Sequence, residues 1–330
     1  KLRRLIALGV LALAVGVAGC GGDDSESTAT GDDPNTIGQQ PEAAADPSGA
    51  DFPAAEGQTM QELADQARPG LEFAPATATY APGANRVAFG LLSNDNEFIY
   101  APTAVYVGRT PNSPAKGPFL APADSLVTEA AYRSKNAVLE DDPVASVYST
   151  EVPLPKPGPW SALILSDTGS GLLGATAQFE VHEDDPIPAV GDRPPEIDTD
   201  TVDEVANIEQ IDTRVPPDSM HETEFADVIG ERPVALLFAT PQLCQSRVCG
   251  PVTDIAEQLK TTYGDEVEFI HQEVYVDNDP AKGLREPLEA FALRSEPWLF
   301  TFDADGRIAS RLEGSFGVDR FEGAVEEALE

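Results

Sequence analysis

An unbroken run of apolar residues in the last third of the chain is the feature that most constrains its fold. Residues 233–239 read Pro-Val-Ala-Leu-Leu-Phe-Ala and contain no polar side chain over the length of a strand. A strand of this kind is covered on both faces, as in a sheet with helices packed above and below it. A loop with two cysteines, Cys244 and Cys249, follows the run, and apolar residues at helical spacing come next. The sequence therefore predicts an α/β layer structure with a cysteine pair where its first helix begins.

Apolar periodicity and turn residues divide the rest of this region into further elements. Helical spacing at Val252, Ile255 and Leu259 predicts a helix that ends at Gly264. The turn Asp303-Ala-Asp-Gly lies between two apolar runs and predicts a hairpin. The predicted order is strand, helix, strand, helix, strand, strand, helix. The elements after the first helix are a strand in Val267–Val276, a helix in Pro287–Leu293, strands in Trp298–Phe302 and Arg307–Leu312, and a helix in Val318–Leu329.

This order of elements, together with two strings within it, resembles the thioredoxin core. The string Tyr275-Val-Asp-Asn-Asp-Pro is similar to the end of that family's third strand, and the string from Phe291 to Arg307 is similar to its helix, cis-proline and hairpin. The resemblance covers about a third of the chain and implies a thioredoxin-like domain, which we place at residues 218–330. It also implies that the bond between Glu296 and Pro297 is cis, and that the Glu296 backbone pairs with a substrate peptide.

The cysteine pair departs from the Cys-Gly-Pro-Cys motif that is usual in this family. The matching string is Cys249-Gly-Pro-Val, so Val252 stands where the second cysteine would be, and Cys244 has to supply the partner thiol from upstream. In the family, the nucleophilic cysteine lies at a helix N-terminus, where free N–H groups and the helix dipole favour the thiolate. We therefore predict that Cys249 is the more acidic thiol and Cys244 its partner. The reverse assignment stays open, because access also governs exchange.

The cysteine pair favours thiol–disulfide exchange with protein thiols or disulfides, but two alternatives remain. One is a non-catalytic surface protein that binds a partner and uses the disulfide only to brace a loop, so enzymatic activity is open. The other is copper handling, as in thioredoxin-like proteins that use two thiolates and one histidine, with His271 as the third ligand. The alternation of His271 with Val267 and Phe269 is more typical of a core residue, and His221 and His182 have no evident partners. The sequence predicts no cofactor and no metal site.

The N-terminus has the pattern of an export signal. Basic residues in Lys1-Leu-Arg-Arg precede an apolar segment from Leu5 to Gly19, which is too short for a spanning helix of about 20 residues. The string Val17-Ala-Gly-Cys resembles the lipobox of bacterial lipoproteins. That resemblance implies a signal peptide over residues 1–20, lipidation of Cys20, and a lipid-anchored protein on the extracytoplasmic side of the cell membrane. Disulfides persist in such a compartment.

Three further segments lie between the lipobox and the last third. Residues 21–70, rich in small and acidic residues, predict a disordered acidic tether. Residues 184–217, rich in Asp, Glu and Pro, predict an acidic linker. Between them, residues 71–183 contain β-like runs separated by Pro and Gly, which predict an all-β sandwich of immunoglobulin-like architecture. The fold class is thus multidomain, with that sandwich followed by an α/β thioredoxin-like domain. The runs are Leu71–Tyr80, Arg86–Leu92, Phe98–Val107, Val144–Val152, Trp160–Ser166 and Leu173–Val181.

The balance of charges excludes one class of partner. The chain has 57 acidic and 21 basic residues, for a formal net charge of −36 at pH 7. Nucleic-acid binding requires basic phosphate contacts, so the sequence predicts no nucleic-acid partner. Docking on anionic lipid head groups is opposed for the same reason, and the predicted membrane contact is the N-terminal lipid alone. Solubility, with adaptation to high salt, is the interpretation that we favour for the acidic surface.

Overall fold

The computed structural model describes residues 40–330 of the 330-residue chain. The predicted signal peptide, the lipidation site Cys20 and residues 21–39 of the predicted tether lie outside the described residues. Among the helices of residues 40–330, none combines the length and hydrophobicity that a membrane crossing requires.

Residues 40–70 are ordered, although they belong to the segment for which the sequence predicts a disordered tether. They contain two short helices, α1 (Pro41–Ala45) and α2 (Met60–Ala64). Thr59 caps α2 in a reciprocal capping box with Glu62. Phe52 and Leu63 are buried in a cluster with Tyr106 and Leu163 of the following sheet. A few large apolar residues therefore fix a segment whose average composition suggests disorder.

The next part, which we call the β region (residues 68–181), consists of two sheets. The order in the five-stranded sheet is β1-β9-β8-β4-β5, and the order in the four-stranded sheet is β2-β3-β7-β6. Except for the short parallel pair of β1 and β9, neighbouring strands are antiparallel. The strands are β1 Arg68–Pro69, β2 Leu71–Pro75, β3 Gly83–Ser93, β4 Thr103–Gly108, β5 Lys116–Leu120, β6 Ala123–Ser125, β7 Ser146–Leu154, β8 Gly158–Asp167 and β9 Leu172–Val181.

A common hydrophobic core joins the two sheets of the β region. Val87 and Phe89 of β3 share this core with Ile164 of β8 and Phe179 of β9. Trp160 is buried and donates its indole N–H to the carbonyl oxygen of Lys156 at 2.8 Å, so it is a core residue, as the sequence indicates. All six predicted β runs overlap a strand, whereas β1, β5 and β6 have no counterpart in the prediction. The immunoglobulin-like type of the sandwich stays a prediction at this point.

The acidic segment 184–217 runs along the C-terminal sheet. Ile187 and Ile197 are buried among the apolar residues of that sheet. The Arg311 guanidinium donates to the Ile187 carbonyl oxygen at 3.0 Å and forms an ion pair with Asp185. This segment therefore differs from a free linker, because its spaced isoleucines and the charges around them attach it to the sheet.

The C-terminal region (residues 218–330) contains one sheet with helices around it. Its strand order is β11-β10-β12-β13, with β10 parallel to β11 and antiparallel to β12, and with β12 antiparallel to β13. The predicted sequence of elements is confirmed, and it gives this region a thioredoxin-like topology. The elements are α3 Phe225–Val228, β10 Val234–Phe238, α4 Cys249–Tyr263, β11 Glu268–Gln272, α5 Glu286–Ala290, β12 Trp298–Phe302, β13 Ile308–Glu313 and α6 Val318–Leu329.

The β region and the C-terminal region share a core, and the described residues belong to one compact unit. Leu126 and Val147 from the β region lie in the same buried cluster as Val252 and Phe321. The Asp124 carboxylate of β6 accepts hydrogen bonds from the first backbone N–H groups of α6, at 3.1 and 3.0 Å. These contacts cross the predicted boundary between two domains, and that boundary stays a prediction.

Candidate disulfide site and its surroundings

The loop after β10 folds back on itself and brings the two cysteines together. The backbone N–H groups of Leu243 and Cys244 both donate to the Thr240 carbonyl oxygen, at 3.2 and 3.1 Å. Arg247 then takes a left-handed conformation, with φ of 62°, and leads the chain into α4. As a result, Cys244 and Cys249 form a disulfide with their Cα atoms 6.0 Å apart, inside the usual range of about 4.4 to 6.8 Å.

The two sulfur-bearing residues differ in access and in backbone environment. Cys249 is the first residue of α4 and is fully buried, whereas Cys244 retains 9% of its surface. The Sγ atom of Cys244 lies 3.1 Å from the Oγ atom of Ser246. In the described part of the chain, no side chain caps α4 at Val248, so a side-chain cap does not occupy the first N–H groups of the helix. A charge that develops on Cys249 would therefore meet the positive end of the helix dipole.

The peptide bond between Glu296 and Pro297 is cis, as the resemblance implies. The Pro297 carbonyl oxygen accepts a hydrogen bond from the Gly314 N–H at 2.8 Å. Among the described residues, the Glu296 backbone N–H and C=O make no hydrogen bond. Burial raises the pKa of the Glu296 carboxyl, and a hydrogen bond from the Tyr275 hydroxyl at 3.3 Å opposes the rise.

One cavity connects the cysteine loop with the cis-proline loop. Its volume is about 320 Å³. Ser246 and Val248 form one side of it, Glu296 forms another, and Ala76 and Val147 of the β region complete the wall. A larger cavity of about 1040 Å³ lies between segment 193–200, α3 and α5, and neither cysteine lines it. Neither cysteine lines the smaller cavity, but Ser246 and Val248 of the cysteine loop do, so the smaller cavity is the one beside the disulfide.

Residues 126–145 of the β region, which we call the roof loop, cover the start of α4. Ser134 donates from its N–H and its hydroxyl to the Asp254 carboxylate, at 2.9 and 3.1 Å. Asn136 donates its side-chain N–H to the Pro241 carbonyl oxygen at 2.8 Å. The fit at Gly250 is close, because a Cβ there would lie 2.9 Å from the Cβ of Asn136. The sequence carries no local signal for these contacts, which join residues more than a hundred positions apart.

A buried ion pair joins the roof loop, the linker and α4. The Arg214 Nε atom lies 2.9 Å from the Asp254 Oδ1 atom, and both side chains are at most 5% exposed. A second Arg214 nitrogen donates to the Tyr132 carbonyl oxygen at 2.6 Å. Burial raises the pKa of Asp254, while the Ser134 N–H and the Arg214 charge act in the opposite direction. The roof loop and the linker thus both hold the helix that carries Cys249.

Comparisons with known proteins give structural likeness only. No protein-family model and no curated protein sequence matches the chain. A solved structure from Chlorobium tepidum, described as a thiol:disulfide interchange protein DsbE, is 14% identical and covers 43% of this chain and 99% of its own, with a TM-score of 0.32. A thioredoxin family protein described as a thiol:disulfide interchange protein, from Chlorobium tepidum TLS, is 16% identical with the same coverage and a TM-score of 0.30. A thioredoxin-like superfamily protein is 11% identical and covers 41% of this chain and 96% of its own, with a TM-score of 0.28.

The histidine that the sequence suggests as a copper ligand lies in another environment. The His271 Nδ1 atom is 2.7 Å from the Asp218 Oδ2 atom, and its Nε2 atom is 3.1 Å from the Ala239 carbonyl oxygen. Burial alone would lower the pKa of His271, but the Asp218 charge and hydrogen bond outweigh it and raise the pKa to about 10. Among the described residues, neither cysteine belongs to a group of potential metal ligands with His271. The geometry therefore does not support the two-thiolate, one-histidine copper site.

His221 has close neighbours, contrary to the expectation from the sequence. Its ring centroid lies 5.0 Å from that of His271, and its Nε2 atom lies 3.3 Å from the Asp218 Oδ1 atom. The acidic residues involved, Asp212 and Asp218, come from the end of the linker and the start of the next segment. The only sequence signal is the spacing of Asp218 and His221, three residues apart at the start of the predicted thioredoxin-like domain.

Proposed function

We propose that this protein carries out thiol–disulfide exchange with client proteins through the Cys244–Cys249 disulfide. The single observation that carries the proposal is the position of this disulfide. One sulfur belongs to the first residue of α4, and the cysteine loop faces the cis-proline loop across one cavity. A disulfide that only braced a loop would require neither the helix start nor the open cavity.

The chemistry is a pair of balanced displacements. A client thiolate attacks the Cys244 Sγ atom, a mixed disulfide forms, and the bond to Cys249 breaks with its electron pair leaving on the Cys249 sulfur. A second client thiolate then attacks the client sulfur of the mixed disulfide and releases the Cys244 thiolate. The client dithiol is thereby oxidised to a disulfide, the protein disulfide is reduced to a dithiol, and the two client protons end on the protein thiols. The same steps run in reverse when the client is the oxidant.

The difference in access supports these roles for the two sulfurs. An attacking thiolate reaches Cys244 more readily, because Cys249 is fully buried. The sulfur at the helix start is the better leaving group, because the helix dipole and the uncapped N–H groups of α4 stabilise a negative charge there. In the reduced protein, Cys249 is then the buried thiol at the helix start.

The free backbone of Glu296 supports a client that binds as an extended segment. Its N–H and C=O face no partner among the described residues, and its side chain lines the cavity beside the cysteine loop. A peptide that pairs with this backbone would gain main-chain hydrogen bonds independent of its sequence, as in strand addition. Residues of the β region form the opposite wall, so the client site is shared between both regions.

The proposal includes the extracytoplasmic, lipid-anchored location and an immunoglobulin-like β region. The lipobox-like string at Cys20 supports the anchor. The strand orders support the sandwich type, since β2-β3-β7-β6 facing β5-β4-β8-β9 corresponds to the order A-B-E-D facing C′-C-F-G.

The reduction potential of the cysteine pair tests the redox role. We expect a value between about −270 and −120 mV, measured by equilibration with glutathione, because exchange-active pairs span that range. A value below about −300 mV would show a structural bridge and overturn the proposal. As a matched pair, Cys249→Ser should leave a Cys244 thiol that traps a client mixed disulfide. Cys244→Ser should leave a buried Cys249 thiol that alkylates more slowly in the folded protein.

Acyl labelling tests the anchor separately. In cells that express the full chain, a lipid label should be incorporated and should disappear in Cys20→Ser, which should then be found in the soluble extracytoplasmic fraction. Labelling that persists in Cys20→Ser would contradict lipidation at this residue. The redox measurement does not depend on this result.

A further inference from the structure

Four buried side chains gather beside the edge strand β11 and have no part in the disulfide chemistry. Each of them contributes one nitrogen or oxygen atom, and these four atoms all lie within 4.8 Å of one another. The side chains are at most 1% exposed. We call this group the His–Asp cluster; its members are Asp212, Asp218, His221 and His271.

His221 points into this cluster without a hydrogen bond. Within residues 40–330, neither of its ring nitrogens has a hydrogen-bond partner, although the residue is 1% exposed. Its Nε2 atom lies 3.3 Å from an Asp218 oxygen and 3.8 Å from an Asp212 oxygen, without the direction of a hydrogen bond. A buried imidazole with no partner costs on the order of 1 to 3 kcal/mol, so such a group calls for an explanation. A bound cation supplies one, because it would accept the nitrogen lone pair.

The surroundings of the cluster hold its donor atoms in place. The His271 Nε2–H donates to the Ala239 carbonyl oxygen at 3.1 Å, which leaves the Nδ1 atom to face the cluster. Backbone N–H groups orient the carboxylates: those of Arg214 and Asp218 donate to Asp212 at 2.6 and 2.7 Å, and that of Met220 donates to Asp218 at 2.9 Å. An outer shell that fixes a histidine tautomer and orients carboxylates is typical of metal sites.

Charge balance selects the class of ion. A histidine ligand binds a metal in its neutral form, so binding releases the proton of His271. Two carboxylates with two neutral imidazoles then carry a charge of −2 in a site that water hardly reaches, and one divalent cation neutralises it. Soft copper(I) prefers sulfur, and calcium or magnesium prefers oxygen alone, so a mixed nitrogen and oxygen set fits zinc(II) best. Four protein donors with no exposed position match a closed, structural site. In a tetrahedral site with bonds of about 2.0 to 2.2 Å, donor atoms lie about 3.3 to 3.6 Å apart, so donors separated by up to 4.8 Å must move together by about 1 Å or more when the ion binds.

We propose that the His–Asp cluster binds one divalent transition-metal ion of the zinc(II) type. The ion fastens the end of the acidic segment to β11, because Asp212 and His221 belong to the segments that precede the sheet and His271 belongs to the sheet edge. It also holds Ala239, whose carbonyl oxygen supports His271 at the point where the cysteine loop begins. The site thus has a structural role beside the exchange disulfide.

Calorimetric titration of the metal-stripped full chain with Zn²⁺ tests the site. The protein is kept oxidised, carries no histidine tag, and has Cys20 alkylated, so that no thiolate competes. We expect one ion per chain and a rise in the thermal midpoint with zinc concentration. His221→Ala and Asp212→Asn should each weaken binding by at least about 10-fold, which is the smallest effect usual for outer-shell changes. His182→Ala is the matched control, because it removes the exposed third histidine, and it should bind as the parent does.

Several outcomes would overturn the metal site. These are the absence of saturable uptake by the stripped parent, an unchanged affinity in both cluster variants, and a loss of affinity in His182→Ala. The double variant Cys244→Ser, Cys249→Ser should keep the zinc affinity of the parent. A loss of zinc affinity in this variant would show that the cysteines bind the ion. Since this variant has no exchange activity, failure of the metal site and failure of the proposed function are distinguishable. Circular dichroism of each variant verifies that it is folded.

Discussion

Gly314 lies where the C-terminal sheet meets the β region, and the structure allows no side chain there. Its φ is 72°, and an added Cβ would collide with the Ala76 carbonyl oxygen. Gly314→Ala should therefore lower the free energy of unfolding by about 2 to 3 kcal/mol, from backbone strain and overpacking. Gly323→Ala is the control, because Gly323 lies within α6 and an added Cβ would meet nothing within 4 Å. That variant should be stabilised by up to about 1 kcal/mol, and urea titration that ranks the two the other way would contradict the packing.

Asp124 makes stability depend on pH. Burial raises the pKa of its carboxyl to about 6, against the N–H bonds from α6 that lower it. The folded protein then holds this proton more tightly than the unfolded chain, whose value is about 3.9. The stabilisation is complete below pH 4 and is lost as the pH rises from about 4 to 6, by up to about 2 to 3 kcal/mol. Asp124→Asn should show a flatter dependence of unfolding free energy over this interval, and identical slopes would refute the assignment.

At the scale of elements, the ion pair between Arg214 and Asp254 decides how firmly the linker holds α4. Arg214→Met leaves a buried carboxylate without its cation, and removal of one partner of such a pair costs about 3 to 5 kcal/mol. The Arg320–Glu327 pair on α6 gives the matched comparison, since both side chains are at least one-third exposed. Glu327→Gln should change stability by less than about 1 kcal/mol. Equal effects in chemical denaturation would show that the buried pair contributes no more than a surface pair.

The roof loop should control the reduction rate of the disulfide. Asn136→Ala removes one hydrogen bond to Pro241, with a net value of about 1 kcal/mol. If the loop must open before a reductant reaches the cysteines, reduction by dithiothreitol should become about fivefold faster. Asn112→Ala is the control, because that asparagine is exposed and lies outside the roof loop. An unchanged rate in Asn136→Ala would show that the loop does not limit access.

The sequence predicts the elements of the C-terminal region well because their signals are local. Apolar periodicity and the residues that end helices place α4 and α6 correctly, and the hairpin turn places β12 and β13. The sequence does not predict the strands β1, β5 and β6, because they have only two to five residues and show no clear alternation of apolar and polar side chains. The sequence also fails to predict the ordered structure of residues 40–70, because a few buried apolar residues such as Phe52 outweigh the effect of the average composition.

The candidate sites divide in the same way. The cysteine pair and the cis bond before Pro297 follow from the resemblance, which rests on contiguous strings. The roof loop and the His–Asp cluster depend on contacts between segments that are distant in the sequence. The periodicity of apolar residues predicts local elements only and does not predict such contacts. The spacing of Asp218 and His221 is present in the sequence, but its meaning depends on His271, which lies 50 residues away from His221.

At the scale of the whole molecule, the net charge of −36 should make stability depend on ionic strength. Repulsion among acidic groups opposes the compact state, and salt weakens it as the Debye length falls from about 30 Å at 0.01 M to about 3 Å at 1 M. The urea midpoint should therefore rise with NaCl concentration. Urea is the suitable denaturant, because guanidinium is itself a salt. A midpoint that stays constant or falls would show that attractive charge pairs outweigh the repulsion.

The cluster of buried residues shared by both halves has a consequence for any attempt to dissect the chain. Leu126 and Val147 on one side, and Val252 and Phe321 on the other, are covered by each other. A protease cut within the acidic segment would leave complementary hydrophobic surfaces on the two fragments. Such pieces would stay associated after cleavage or precipitate once they are forced apart, and neither would behave as an independent module.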